Sequence, residues 1–389
     1  MTTWSSGIER AAHARTHLPL LAAVTAWGLG VFGLSGAVSA QGGALHTYGQ
    51  TWRAIAMPPT GAGSSQLAGD VLPDGRIVAV TGMSVFVESG VGTGTFDVVA
   101  LLDPGAIGGN GAVDPGFVRV SPDGARLAIG GGFGKPVVVA PLAALGTPGA
   151  PTLLGPGQAS FYPVANYDGA WAGPTQLGLT SGVFGAPAQV TVLDVTSPVQ
   201  APTNTPVIVN IGGASAGIAF DAAGRLYTGN GFDLGPGGSG TGTIRAFDPA
   251  LWMSGAPADF EASGTLIGTM LSASSLGFDL EGNLLVGGAD FAAGETGYLG
   301  VAGAAALAAA LAGLGPVDIE NPAEFLRLTP PGSTQLYFGS AFNPVTGELY
   351  LTATDFFTGT TTWYATVPGP GAAVLLCLAP LARRRGVGR

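Results

Sequence analysis

Three aspartates close glycine-rich, strand-like runs and stand beside a phenylalanine: Phe232-Asp233, Asp290-Phe291 and Asp355-Phe356. Carboxylates brought together from separate repeats could hold a hard cation such as Ca²⁺, which takes oxygen ligands. Asp233 follows its Phe, whereas the other two precede theirs, so the three are out of register. The plainer reading is that the ring packs and the acid caps a loop. Asp233, Asp290 and Asp355 are therefore the only metal candidates, and no metal or other cofactor is assigned. Trp171, Trp252 and Trp363 could stack on sugar rings, or could be core aromatics. Asp74, Asp123, Asp221 and Asp279 stand close before a glycine and read as turn formers. The glycine strings at 107–113 and 130–134 lead into no Gly-Lys-Ser/Thr, so they are loops and not phosphate cradles.

Some chemistry is excluded by what the chain lacks. Its one cysteine is Cys377, close to the C-terminus, and its histidines are His13, His17 and His46. The body between residues 41 and 366 thus has no disulfide, no Cys/His zinc site and no Cys nucleophile. His46 has no recognisable triad partner. The same span holds 23 Asp/Glu against 8 Lys/Arg, a net charge near −15. Nucleic-acid binding needs a cationic footprint that releases counterions, so DNA and RNA are excluded as partners.

The elements that must position any site come from a repeat. A strand, an Asp/Asn-Gly turn and a second strand ending in glycines recur at 69–82, 118–132, 165–173, 218–231, 276–290 and 340–355. The turn glycines Gly75, Gly124, Gly169, Gly224, Gly282 and Gly347 are 49, 45, 55, 58 and 65 residues apart. Asp or Asn bonds its own backbone in such a turn, and Gly supplies φ > 0. Arg76-Ile77-Val78-Ala79-Val80 is read as an alternating strand with one face on its neighbour. A period near 40–50 with several short strands per unit predicts an all-β chain, a β-propeller of about six blades, with seven as the alternative. The segment 361–367 is expected to close the ring against 46–55, removing an exposed sheet edge. Residues 301–331 break the pattern. Helices are expected over Ala304–Leu314 and, after an Asn321 cap, over Pro322–Leu328, as an insertion between the last two blades that covers a ring opening or edge or, alternatively, docks a partner.

The Ser-Pro-Asp-Gly-type turns resemble the blades of several propeller families, over most of 44–366. That resemblance implies the fold alone, since such blades serve lactonases, lyases, phytases and binding proteins alike.

The two ends carry the functional reading. Residues 1–40 form an export signal, with Arg10 and Arg15, an apolar run from Leu18 to Leu34, and a small-residue site at Val38-Ser39-Ala40 that leaves Gln41 first. At the other end, VPGPGAAVLLCLAPLARRRGVGR sets a rigid Pro-x-Pro before twelve mostly apolar residues and an arginine cluster. As a helix, twelve residues span about 18 Å against roughly 30 Å of hydrocarbon. This tail resembles the PEP-CTERM sorting signal, through Val367, Pro368, Pro370, the run 371–382, and Arg383, Arg384 and Arg385, with Gly369 where the family usually has Glu. The resemblance implies export, a transient inner-membrane tether and processing by an exosortase-type membrane protease, after signal peptidase has acted. The expected domains are a signal peptide at 1–40, a propeller at 41–366 and a sorting segment at 367–389, with both terminal apolar segments helical. The expected function is a non-enzymatic cell-surface or matrix protein, with extracellular polysaccharide as a candidate partner. The alternatives are a secreted calcium-dependent hydrolase or lyase, or a carbohydrate-binding propeller.

Overall fold

The structure is a computed structural model. It describes residues 48–59, 66–108, 113–132, 134–181, 187–196, 206–213, 215–230, 241–271, 273–288, 298–328, 330, 336–355 and 360–368. The described strands form six sheets, each with four antiparallel strands and two of them with a fifth, parallel edge strand. Their innermost strands contact one another in ring order, so the fold is a six-bladed β-propeller. Blade 1 holds Ala68–Val71, Ile77–Thr81, Ser84–Glu88 and Phe96–Leu102. Blade 2 holds Phe117–Val120, Arg126–Gly130, Val137–Pro141 and Ser160–Tyr162. Blade 3 holds Gly169–Trp171, Gln176–Thr180, Ala188–Asp194 and Pro206–Ile211. Blade 4 holds Ser215–Phe220, Leu226–Asn230, Thr241–Phe247 and Thr265–Leu271. Blade 5 holds Ser275–Phe278, Leu284–Gly288, Tyr298–Ala302 and Phe325–Leu328. Blade 6 holds Leu336–Phe342, Leu349–Asp355, Thr360–Pro368 and, outermost, Tyr48–Ile55.

The ring closes as the sequence predicts. Tyr48–Ile55 pairs antiparallel with the final strand, from Tyr48 opposite Pro368 to Ile55 opposite Trp363. Trp363 is only 1% exposed. A Cβ built on Gly69 would lie 2.6 Å from the Trp363 ring and 2.5 Å from the Val78 carbonyl oxygen, so blade 1 packs against blade 6 through a bare glycine. Tyr48 adds a second tie, its hydroxyl donating to Asp279 Oδ2 of blade 5 at 2.7 Å.

The turns between first and second strands follow the expected chemistry in five blades. Gly75, Gly124, Gly224, Gly282 and Gly347 all have positive φ. Oδ1 of Asp74, Asp123, Asp221 and Asp279 accepts the amide two residues on, at 3.1, 3.1, 2.9 and 2.9 Å. Neighbouring tips stack, Val345 over Gly75 and Pro73 over Gly124.

The third repeat was misplaced by the sequence reading. Gly169 begins a strand, and the turn falls at 172–175, closed by the Ala172 amide on the Gln176 carbonyl. Alternation was also the wrong expectation for the second strands. All five residues of Ile77–Thr81 and of Leu284–Gly288 are buried, because a blade is covered on both faces by its neighbours.

The region 301–331 corrects two further expectations. The helix is real but shorter, Ala304–Leu311. Pro322–Leu328 is not helical: Asn321 caps a tight turn, and Phe325–Leu328 becomes the fourth strand of blade 5. The excursion therefore lies inside blade 5, not between blades. It reaches back to blade 4, where the Val317 amide donates to the Ile267 carbonyl at 2.7 Å. Two other connections do the same with strands. Thr152–Leu154 leaves blade 2 to add a parallel edge to blade 1, and Ala258–Asp259 leaves blade 4 to edge blade 3. Each laps the preceding blade and covers its open edge.

No helix among the described residues is long and apolar enough to cross a membrane. Residues 1–40, read as an export signal, and residues 369–389, with the helices expected in both, lie outside the described residues.

Candidate functional site

The most charged interior place in the ring is its axis. There the amides of Val71, Val120, Gly169, Ile218 and Leu276, in the innermost strands of blades 1 to 5, donate to two buried aspartates. Asp168 immediately precedes the first strand of blade 3. Its Oδ1 accepts from the Gly169 amide at 2.8 Å and from Arg119 Nη2 at 2.9 Å. Its Oδ2 accepts from the Ile218 amide at 3.2 Å, and the Leu276 amide adds a fourth donor. One carboxylate thus touches blades 2, 3, 4 and 5. Asp70 repeats the device between blades 1 and 2: Oδ1 accepts from the Val71 amide at 2.8 Å and Oδ2 from the Val120 amide at 2.7 Å.

Arg119 stands between the two acids. Besides Asp168, it donates from Nε to the Gly169 carbonyl at 2.8 Å and from Nη1 to the Val118 carbonyl at 3.1 Å. The Trp171 indole donates to the Arg119 carbonyl at 3.1 Å. Burial pushes both carboxyls above the usual aspartate value, opposed by the Arg119 charge and the backbone donors. Tyr167, beside Asp168, is pushed up as well, first by burial and then by that acid.

This arrangement suits assembly better than chemistry. The Asp168 side chain is 2% exposed and both its oxygens are engaged. A general base needs a free lone pair within reach of a substrate proton. The hydroxyls of Ser275 and Ser340, on blades 5 and 6, are buried without a hydrogen-bond partner. No histidine is among the described residues, so neither serine has an imidazole there to activate it.

The sequence-predicted site residues fare unequally. Asp233 and Asp290 lie outside the described residues, as do Phe232, Phe291 and Phe356. Asp355 ends the second strand of blade 6, its backbone opposite Thr360. Among the described residues no three of His, Cys, Asp and Glu gather as a metal site. The three tryptophans are not exposed platforms: Trp171, Trp252 and Trp363 are 9%, 5% and 1% exposed. Each is core because blade faces need large apolar fillers, and two indoles also bond backbone, Trp171 to Arg119 and Trp252 to the Gly224 carbonyl. Val367 and Pro368 fall in the closing strand, while Val38, Ala40, Gln41, Pro370, Arg383, Arg384 and Arg385 lie outside the described residues. The axial trio Asp70, Arg119 and Asp168 was missed.

A narrow cleft of about 10 Å³ is lined by Gly69, Phe117, Arg119 and Gly339, and two larger clefts lie elsewhere. One of about 440 Å³ lies between blade 1 and the connection after the third strand of blade 2, lined by Leu72, Val87 and Leu142 and by Asp74 and Arg76, which pair at 2.8 Å. Another of about 200 Å³ lies between blades 6 and 1. Its charged groups are also engaged, Arg53 with Glu348 at 2.6 Å and Glu88 with the Ile77 and Gly94 amides at 3.3 and 2.9 Å. Tyr350, on its wall, is pushed up to about 12 by burial.

No known family profile matches the chain, and no curated protein does. Solved structures resemble it at low identity. A chain of a mitotic checkpoint complex is 14% identical, with a TM-score of 0.47 over 82% of this chain and 94% of that one. A protein assigned as a gluconolactonase is 12% identical, with a TM-score of 0.42 over 81% and 91%. The β-propeller domain of Myceliophteria thermophila Cps50 (Swd1) is 13% identical, with a TM-score of 0.42 over 81% and 99%. The class defined by the chain's own six sheets is a six-bladed propeller closed by its terminal strands.

Proposed function

We propose that the chain is an exported, non-enzymatic propeller, carried to the cell surface or extracellular matrix by a C-terminal segment that an exosortase-type protease reads. The observation that carries this reading is the junction between fold and tail. The final strand runs Thr360–Pro368, so the first proline of the Pro-x-Pro motif is also the last residue of the closing strand. The sorting segment begins where the propeller ends, and its removal beyond Pro368 leaves every strand of the ring in place. The non-enzymatic half of the reading is supported by Asp168, whose side chain is buried and whose two oxygens are both engaged by donors of the chain itself.

The test is cell fractionation of the triple variant Arg383→Ala, Arg384→Ala, Arg385→Ala in the native host. The positive cap holds the end of the tail on the cytoplasmic side, so its loss is expected to deplete the surface and medium fractions several-fold. An unchanged distribution contradicts the sorting role. Hydrolase or lyase turnover by the purified body contradicts the non-enzymatic one.

A further inference from the structure

We propose that the ring face carrying the Asp/Asn-Gly turns lies against the lipid bilayer while the chain is tethered by its tail. This rests on the tether reading above and adds which surface meets the membrane. The first argument is where the fold ends. Strand direction puts Pro368 and its partner Tyr48 at the turn side of blade 6, where Leu349 follows the Asn343–Gly347 turn. Tyr48 reaches the turn acid Asp279 of blade 5 from there. The apolar run begins at Gly371, three residues beyond Pro368. Three residues span at most about 10 Å. A tail that enters lipid at residue 371 therefore draws this face to the membrane surface.

The second argument is independent of the tail. Eight large apolar side chains are exposed among the described residues, and six of them, Val91, Leu251, Met253, Leu280, Leu314 and Val345, belong to turns and connections on this face. Leu280 and Val345 are on turn tips, with 74% and 49% exposure. Val91 lies in the loop after Glu88, whose carboxylate holds the first amide of the second strand, Ile77. Leu251 and Met253 flank Trp252, which bonds turn glycine Gly224. Leu314 is in the connection that leaves blade 5 beside Asn283, which accepts the Ala304 amide. The other two, Leu101 and Leu153, are on the outer edge of blade 1. An exposed apolar side chain at a turn tip, such as Leu280 or Val345 of the next blade, gives a surface something apolar to contact. Three turn acids on this face are matched by arginines, Asp74 by Arg76, Asp123 by Arg126 and Asp221 by Arg225.

The test places single cysteines in the full chain carrying Cys377→Ala. Ala222→Cys and Glu281→Cys put a fluorophore on the turn face, and Pro104→Cys puts it on the opposite face. A strand of five residues separates the faces by about 17 Å. The labelled chains are reconstituted into phosphatidylcholine vesicles containing a headgroup-linked quencher. The turn-face labels are expected to be quenched several-fold more than the Pro104→Cys label. Inserting about twenty Gly/Ser residues after Pro368, a reach of roughly 25 Å, is expected to shrink that difference. Equal or reversed quenching in chains that float with the vesicles overturns the orientation and leaves the tether standing. So does shielding of the turn-face labels from lipid by a second copy. Failure of the unmodified chain to float with vesicles overturns both.

Discussion

The axis and the turn face treat water in opposite ways. At the axis, ionisable groups are taken out of water: Asp168 is 2% exposed and Arg119 13%, yet each has partners on several blades. On the turn face, apolar groups are left in water: Leu280 is 74% exposed and Leu314 81%. The buried charges and the exposed apolar side chains at these turns are the two features to be explained. The first is answered inside the molecule, because amides and a guanidinium satisfy the carboxylates. The second has no answer within the described residues, and that difference separates a structural device from a contact surface. A charged cluster at the centre of a ring is not by itself a site.

If the axis is a structural hub, breaking it gives the largest effect. Asp168→Ala strands Arg119 and inward amides of blades 3, 4 and 5, and is expected to cost about 3–5 kcal/mol, read as a lower urea midpoint. A cost near zero would remove the hub and reopen the axis to a ligand. The closing contact comes next. Gly69→Ala drives a methyl into the Trp363 ring and the Val78 carbonyl, for an expected loss of about 1–3 kcal/mol.

A smaller effect concerns pH. Burial raises Asp70 and Asp168 above their ordinary 3.8 in the folded chain. As pH falls from neutral through those raised values, the folded state takes up protons before the unfolded one. Stability from these groups therefore rises as pH falls, and the gain is complete below 3.8. The native chain is expected to gain on Asp168→Asn between pH 7 and about pH 4, read as a narrowing or widening gap in urea midpoints. A gap that moves the other way shows that Arg119 and the amides outweigh burial. Smallest for folding is the turn face: Leu280→Ser with Val345→Ser is expected to stay within about 0.5 kcal/mol of the native chain. Its effect should appear instead as weaker binding to phosphatidylcholine vesicles. A large folding cost would show that these side chains serve the fold.

Much of the fold was legible because turn chemistry is local. Five of the six turn glycines sit at positive φ where the Asp/Asn-Gly pattern places them, and the pairing of 361–367 with 46–55 follows from the need to close the sheet. The failures were non-local. Tyr167-Asp168-Gly169 has the letters of a turn, but Asp168 is claimed by Arg119, Ile218 and Leu276 from three other blades. Phe325 and Leu328 are both buried at a spacing that suits a helix, and strand pairing with Tyr298–Ala302 decided otherwise. A signal for the hub was present in the sequence. Arg119 is an arginine inside an apolar innermost strand, and Asp70 and Asp168 each reach an amide fifty residues on. The tryptophans show the limit of composition: nothing in Trp171, Trp252 or Trp363 as letters says which face of a blade they fill.

The central claim is that the propeller is exported and released from its tail, and the intact mass of the mature protein from its native host, with its location by fractionation, tests it most directly. The account predicts a mass lacking residues 1–40 and ending near Pro368, found at the surface or in the medium. A mass that retains Arg383–Arg385, found in the inner membrane, would contradict it.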